Sequence, residues 1–250
     1  MNDHPDTVAV VTGAGRGVGR QVARLLAGQG ARVALLARSG EQLDQAARLV
    51  KDAGGTALVV PVDLTDRDQR TAAARTVLAE YGAVDILINN AGVTAPIGPT
   101  STVDPAEWAA TIELNLIAPA QLTAAVLPGM IQRRSGQVVN VSSAAVGTPR
   151  LLIGANAYIA GKSGLEAHTL NLAAELADTG VRVNVYRPGA VDTGLLRSTQ
   201  DRFLEFDPAM KALFERDLAT TITPETSAAA LLEHLLDGVT GQIWHVDRTL

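Results

Sequence analysis

Two side chains at helical spacing could move a proton. The chain holds only three lysines and three tyrosines, yet Tyr158 is followed four residues later by Lys162. At i and i+4 on a helix the two share a face. A phenol with its ordinary pKa near 10 is a poor proton donor or acceptor at neutral pH, but an ammonium beside it stabilises the phenolate and lowers that value. The pair therefore suits proton exchange with an oxygen whose charge changes during a reaction. Without that chemistry the same two residues are an ordinary solvated contact. A hydroxyl to hold the reacting oxygen would come from another element. The apolar run Val139-Asn140-Val141-Ser142-Ser143 ends in two serines. Ser143 would stand at its C-terminal edge, where a serine is equally at home as a turn or cap.

Asn115 is out of place in the apolar helical stretch Ile112–Leu127, because asparagine is a mediocre helix former. Pro119, four residues on, has no N–H to give to the Asn115 carbonyl. A buried acceptor without a partner is costly, so the break leaves that carbonyl to a water or a side chain, unless it is a plain proline kink.

A glycine-rich turn, Thr12-Gly13-Ala14-Gly15-Arg16-Gly17-Val18-Gly19, links an apolar run to the helical stretch from Arg20 to Ala27. Glycines here allow a sharp turn, a close approach to a pyrophosphate and tight packing of the helix, whose free N–H groups face the phosphates. The spacing is T-G-x-x-x-G-x-G and not G-x-G-x-x-G, since Val18 stands where the third glycine would be. No Gly-Lys-Ser/Thr follows, which excludes a Walker A loop. The turn points to a dinucleotide. With a nicotinamide as hydride donor, the oxygen served by Tyr158 would belong to a carbonyl or an alcohol.

The elements that must position these residues follow from periodicity. Apolar or β-branched runs recur at Thr7–Thr12, Arg32–Ala37, Ala57–Pro61, Val84–Asn89, Gln137–Ser142, Val181–Tyr186 and Gln242–Val246. Near-continuous runs of this length suit strands covered on both faces, and the Ala/Leu-rich stretches between them have helical length. The pattern predicts an α/β fold, a doubly wound Rossmann-type seven-stranded parallel sheet with helices on both faces. Gly30, Gly54-Gly55, Gly82 and Gly180 mark helix ends. Ser39-Gly40-Glu41-Gln42, Asp104-Pro105-Ala106-Glu107 and Thr223-Pro224-Glu225 mark helix starts. No linker or repeat divides residues 1–250, which reads as one domain. Val93–Val103, Ala144–Ala157 and Pro188–Phe206 follow strands four, five and six, at the sheet edge where ligands bind.

Composition narrows the partners. Hydrophobic residues make up 47% and charged residues 19%, as in a protein with a large core. A net charge of −5 without charge blocks disfavours nucleic acid or an anionic membrane surface. There is no cysteine, and the four histidines are scattered, so no metal site is expected. The polar N-terminus is unlike a signal peptide and no uninterrupted apolar run spans a bilayer, which fits a cytoplasmic protein.

Together these motifs resemble the short-chain dehydrogenase/reductase family, in its single-domain branch, from Val8 to Asp247. The resemblance implies a catalytic tetrad of Asn115, Ser143, Tyr158 and Lys162. Tyr158 would be the general acid/base, Lys162 would lower its pKa and bind the nicotinamide ribose, and Ser143 would orient the substrate oxygen. The Asn115 main chain would hold a water. It also implies cofactor contacts at Gly13, Gly15, Arg16, Gly17, Val18 and Gly19, and at Asn90, Ala91 and Gly92 of Asn89-Asn90-Ala91-Gly92. Asp63 and Leu64 would meet the adenine edge, and Pro188, Gly189, Val191 and Thr193 would border nicotinamide. Family members commonly form dimers or tetramers through the helices holding Asn115 and Tyr158, so a homodimer or homotetramer is expected.

The second predicted strand ends Leu36-Ala37-Arg38-Ser39, with alanine where an acid would accept from a ribose 2′-hydroxyl. Arg38 and Arg16 near the adenosine end, with Ser39 as a further donor, suit a 2′-phosphate, so NADP(H) is expected over NAD(H). Each arginine alone reads as a surface charge. The segment of about 188–221 is expected to fold over the substrate as a lid, with apolar faces from Leu195, Leu196, Phe203, Leu204, Met210, Leu213 and Phe214, or else to serve core or oligomer packing. The expected partner is a small carbonyl or alcohol, of 3-oxoacyl type or another ketone. A silent NADP(H)-binding scaffold or redox sensor would share the fold but leave the tetrad idle. A nucleotide-binding transferase would have no use for Tyr158 and Lys162.

Overall fold

Val, Ile and Leu in short runs lie well on a pleated surface packed from both sides, and here they form seven strands. The computed structural model describes residues 7–206 and 221–246. The strands are β1 (Val8–Thr12), β2 (Arg32–Ala37), β3 (Thr56–Pro61), β4 (Ile86–Asn89), β5 (Gly136–Val141), β6 (Val181–Arg187) and β7 (Ile243–His245). They form one parallel sheet in the order β3-β2-β1-β4-β5-β6-β7. The predicted seven-stranded sheet is found, with its run ends shifted by one or two residues. Winding reverses between β1 and β4, and the crevice beyond their carboxyl ends is the binding position of such sheets.

Alternate residues of each strand face opposite layers. Ala9, Val11, Val33, Leu35, Ile88 and Val139 pack with helices α1 (Gly17–Gly28), α2 (Gly40–Asp52) and α7 (Pro224–Leu235). Val8, Val10, Ala34, Leu36, Leu87 and Val138 pack with α3 (Arg67–Tyr81), α4 (Pro105–Arg133) and α5 (Asn156–Glu175). Helix α6 (Gly194–Phe206) lies apart, with Phe203 against Ala155 and Tyr158. The predicted punctuation holds. Ser39, Asp104 and Thr223 cap α2, α4 and α7, accepting from the N–H of Gln42, Ala106 and Thr226 at 3.3, 2.8 and 3.1 Å. Gly30, Gly54, Gly82 and Gly180 take positive φ ahead of β2, β3, β4 and β6, whereas Gly55 does not.

No uninterrupted apolar run was expected to span a bilayer, and α4 is interrupted by Glu107, Glu113 and Gln121, yet by length and composition it could cross one, its most apolar 18-residue window having a mean hydropathy of 1.5. It serves the core instead, where Ala118, Leu122, Val126 and Met130 bury one of its faces on the sheet. The helix is also not uniformly α. Residues Glu113–Ile117 form a π turn around Asn115. The break foreseen at Pro119 is thus a widened turn and not a simple kink, since a helix with no N–H at Pro119 gains from shifting its bonds to i+5 there. The Ala118 N–H donates to the Glu113 carbonyl accordingly. Met210, Leu213 and Phe214 of the expected lid lie outside the described residues.

Candidate active site

The glycine turn is shaped by the strand beside it. Thr12 Oγ1 accepts the N–H groups of Asn90 (2.9 Å) and Ala91 (3.0 Å), and Asn90 Nδ2 donates to the Thr12 carbonyl at 2.9 Å. A Cβ at Gly13 would lie 2.9 Å from Asn90 Nδ2, and one at Gly19 would lie 2.6 Å from the Gly13 carbonyl oxygen. Those two glycines are required by the turn's own packing. The Asn90 side chain, at a position expected at the cofactor, ties β4 to β1, and the residue also lines the cavity described below. Arg20, which the sequence reading passed over, donates Nε to the Gly15 carbonyl at 2.8 Å. The N-terminus of α1 has no side-chain cap and no acid in its first turn. Its N–H groups are left to a ligand's negative charge.

Asn115 is fully buried, and its side chain is paired with the main chain of Val93 on both sides: Nδ2 donates to the carbonyl at 2.8 Å and Oδ1 accepts from the N–H at 3.2 Å. Gly92 adjoins this pairing. A Cβ there would lie 2.9 Å from Asn115 Oδ1 and 3.3 Å from Lys162 Nζ. Asn115 thus reaches the site through the loop after β4.

Tyr158 and Lys162 stand one turn apart on α5, 8% and 3% exposed. Burial pushes the Tyr158 phenol above its ordinary value, opposed by a hydrogen bond with Ser143. Burial also pulls the Lys162 ammonium down to about 8, opposed by the charge of Glu166. Lys162 Nζ donates to the Val141 carbonyl at 2.7 Å. Burial thus works against the charged form of both groups, opposing the acidification of Tyr158 expected from Lys162, and one of the three ammonium hydrogens is held by the strand end while two are left for other acceptors. Ser143 Oγ also accepts from the Ala145 N–H at 3.2 Å. Ser142 is buried with its Oγ unpartnered. The choice of Ser143 over Ser142 agrees with the hydroxyl that meets Tyr158.

One cavity of about 830 Å³ joins the glycine turn, the ends of β2 and β3, Ser143, Tyr158, Lys162 and the start of α6. Of the residues expected at the site, Gly19 and Asn115 alone do not line it. Ala37 lines it, as its place at the end of the second strand implied, and Gln42, Thr65, Thr94, Thr148, Leu152, Thr199 and Pro224 line it as well without having been expected there. Gln42 and Pro224 were legible only as parts of helix starts, and the others had no motif of their own. At the adenosine end Arg38 and Arg16 are exposed, with no acid at Ala37. A Cβ at Gly194 would lie 3.6 Å from Arg16 Nη1, so this guanidinium reaches toward the first residue of α6. Ser39 Oγ accepts from Gln42 as the cap of α2 and keeps its own hydrogen to donate. Asp63 Oδ1 accepts from the N–H and hydroxyl of Thr65 at 2.9 and 2.8 Å. Beyond Tyr158, α6 is fastened by a 2.6 Å hydrogen bond between the Thr94 and Thr199 hydroxyls. Among the described residues no group of His, Asp or Glu could hold a metal ion.

Comparison with known proteins bears on this geometry. The family model described as short chain dehydrogenase matches residues 7–202. The chain is 40% identical over 193 residues to a cis-4-hydroxycyclohexanecarboxylate dehydrogenase of Sinomonas cyclohexanicum, covering 76% of each chain. It is 34% identical to a 3-oxoacyl-[acyl-carrier-protein] reductase of Vibrio cholerae, covering 96% of this chain and 95% of that one. Its fold is similar to that of an actinorhodin polyketide ketoreductase with NADPH, with a TM-score of 0.85, 31% identity and coverage of 97% and 96%. It is also similar to an NAD+-bound xylitol dehydrogenase, with a TM-score of 0.87, 25% identity and coverage of 96% and 97%.

Proposed function

Because the chain belongs to the short-chain dehydrogenase/reductase family and is an oxidoreductase of alcohols and ketones, we propose that it uses NADP(H), with Tyr158 as the general acid/base. The observation that carries this reading is the meeting of Ser143, Tyr158 and Lys162 at one end of a cavity whose other wall is the glycine turn. The uncapped first turn of α1 and the glycine backbone would hold the pyrophosphate, and Arg38 and Ser39 the 2′-phosphate. Pro188, Gly189, Val191 and Thr193 would border the nicotinamide. When bound, NADPH supplies the hydride that reaches the carbonyl carbon.

Ser143 and Tyr158 then hold the substrate oxygen between two hydroxyls. A phenol raised by burial keeps its proton until that oxygen becomes basic, which suits it as the donor in reduction. Lys162, released from the Val141 carbonyl toward the cavity, would bring the positive charge that makes the phenol acidic enough to serve in both directions. Asn115 keeps its place through Val93 and leaves its main chain for a water.

The substrate is a ketone or secondary alcohol, with a 3-oxoacyl group as one candidate given the acyl-carrier-protein reductase among its relatives. Leu152, Leu195 and Leu196 give its end of the cavity an apolar wall. Trp108, Ile131 and Leu170 stay partly exposed on α4 and α5, which supports a homodimer or homotetramer joined through these helices.

The experiment is NADPH consumption over a set of ketones that includes 3-oxoacyl thioesters and alicyclic ketones, with Tyr158→Phe as control. Loss of about 10²–10⁴-fold in kcat is expected in the variant. Equal rates in parent and variant would overturn the proposed role. Tight NADPH binding with no turnover of any ketone would favour the silent scaffold.

A further inference from the structure

Glu166 and Arg187 belong to neither the tetrad nor the cofactor wall. Glu166 stands one turn beyond Lys162 on α5 and is only 6% exposed. Both of its oxygens are taken by Arg187, Oε1 from Nε at 2.8 Å and Oε2 from Nη2 at 2.7 Å. Arg187 is the last residue of β6, directly before Pro188 and Gly189 of the cavity wall. Its remaining nitrogen faces the loop that follows Ser143: a Cβ at Gly147 would lie 3.5 Å from Nη1. One two-pronged pair therefore touches the helix of Tyr158 and Lys162, the loop after Ser143 and the segment expected at nicotinamide.

Stability is a poor reason for such a pair, since buried ion pairs are often matched by apolar packing. The surroundings of Lys162 offer a better one. Its own helix presents Tyr158 and Glu166. The loop after β4 and α4 present Gly92 and the uncharged Asn115, and β5 presents the Val141 carbonyl. From β6 comes Arg187, through Glu166. Glu166, one turn away on the same helix, opposes the desolvation of the Lys162 ammonium.

We propose that Glu166 and Arg187 are positioning residues for hydride transfer, Glu166 favouring the ammonium form of Lys162 while Arg187 holds Glu166 and braces the segments after Ser143 and before Pro188. The inference rests on the Tyr158–Lys162 reading given above. Arg187 also divides the charge of Glu166, so the two residues act on Lys162 with opposite signs.

The test is the pH dependence of kcat/KM for alcohol oxidation with NADP+ in the parent, Glu166→Gln and Arg187→Met. In Glu166→Gln the ammonium loses its carboxylate, the phenol is less acidified, and the acid limb moves up by on the order of one pH unit, or about tenfold in rate on that limb. In Arg187→Met the whole charge of Glu166 falls on Lys162 and the limb moves down. Loss of packing alone lowers Tm and kcat in both variants and leaves the limb in place. Should Glu166→Gln fail to fold, the double variant with Arg187→Met leaves no buried guanidinium without its carboxylate, and its limb moves up by less. Limbs that coincide with the parent's, or that move together in the two single variants, overturn the proposal. If they coincide while Tyr158→Phe is inactive, this inference alone falls. If Tyr158→Phe is as active as the parent, the underlying reading falls instead.

Discussion

The side-chain amide of Asn115 grips the main chain of Val93 at both its N–H and its carbonyl, 22 residues away in the chain. Asparagine can do this because its amide has a donor and an acceptor side by side, which an ionised aspartate of the same shape lacks. Asn115→Asp keeps the acceptor but turns a second oxygen toward the Val93 carbonyl. We expect it to cost about 1–3 kcal/mol in stability, as a buried acceptor loses its donor. We also expect kcat/KM to fall at least about tenfold, as the loop from Gly92 to Thr94 shifts by even a fraction of an ångström. Urea melts and steady-state kinetics measure both. Full activity and stability would mean that the main chain at 115 is all that matters.

Cofactor choice is expected to turn on Arg38. Arg38→Asp places a carboxylate beside Ala37, where it accepts from a ribose 2′-hydroxyl and repels a 2′-phosphate. The ratio of kcat/KM for NADPH over NADH should fall by about 100-fold or more, equivalent to about 3 kcal/mol of lost charge-assisted bonding. A parent enzyme that turns over NADH faster than NADPH would contradict the assignment.

Lys162 carries a pH signature in stability. Its value in the folded protein, about 8, lies below the 10.5 of an unperturbed lysine, so the unfolded chain holds more protons between those two pH values. The burden is fully present below pH 8 and is relieved as pH rises toward 10.5, in an amount of up to about 3 kcal/mol. Lys162→Met should therefore abolish turnover yet raise Tm at pH 7, and the gain should shrink by pH 10. Thermal melts at the two pH values decide it; a lower Tm at both would show that the bond to Val141 outweighs desolvation.

Arg70 offers a test of how α4 is held. Its guanidinium is 2% exposed and donates to the Leu64 carbonyl, to Gln121 Oε1 at 2.7 Å and to Glu113 Oε1 at 2.6 Å. It thus joins the loop after β3 to the first residue of the π turn. Arg70→Met leaves these acceptors without a donor and should cost about 2–3 kcal/mol. With Glu113 one-third exposed, adding Glu113→Gln should recover little of that loss. A double variant as stable as the parent would locate the cost in the ion pair instead of in the carbonyl and amide.

What could be read from the chain was local. Tyr158 and Lys162 are one turn apart whatever surrounds them, and the turn from Thr12 to Gly19 announces itself by composition. The partners that fix these residues are distant: Thr12 meets Asn90 across 78 positions, Arg187 meets Glu166 across 21 and Arg70 meets Glu113 across 43. No periodicity links such pairs. The polar lining at Thr94, Thr148 and Thr199 escaped notice for the same reason, since threonine is as common in a turn as in a binding site.

Residue order alone settled the alternation of strand and helix, the parallel sheet and the helical turn that sets a phenol beside an amine, because these depend on neighbours within a few positions. Tertiary packing decided the rest. It chose which protons the buried groups keep, since desolvation depends on what covers Tyr158 and Lys162. It turned Arg16 toward Gly194 and set the Asn115 amide on the main chain of Val93. Burial and long-range hydrogen bonding are properties of the assembled chain, and no short stretch of it contains them.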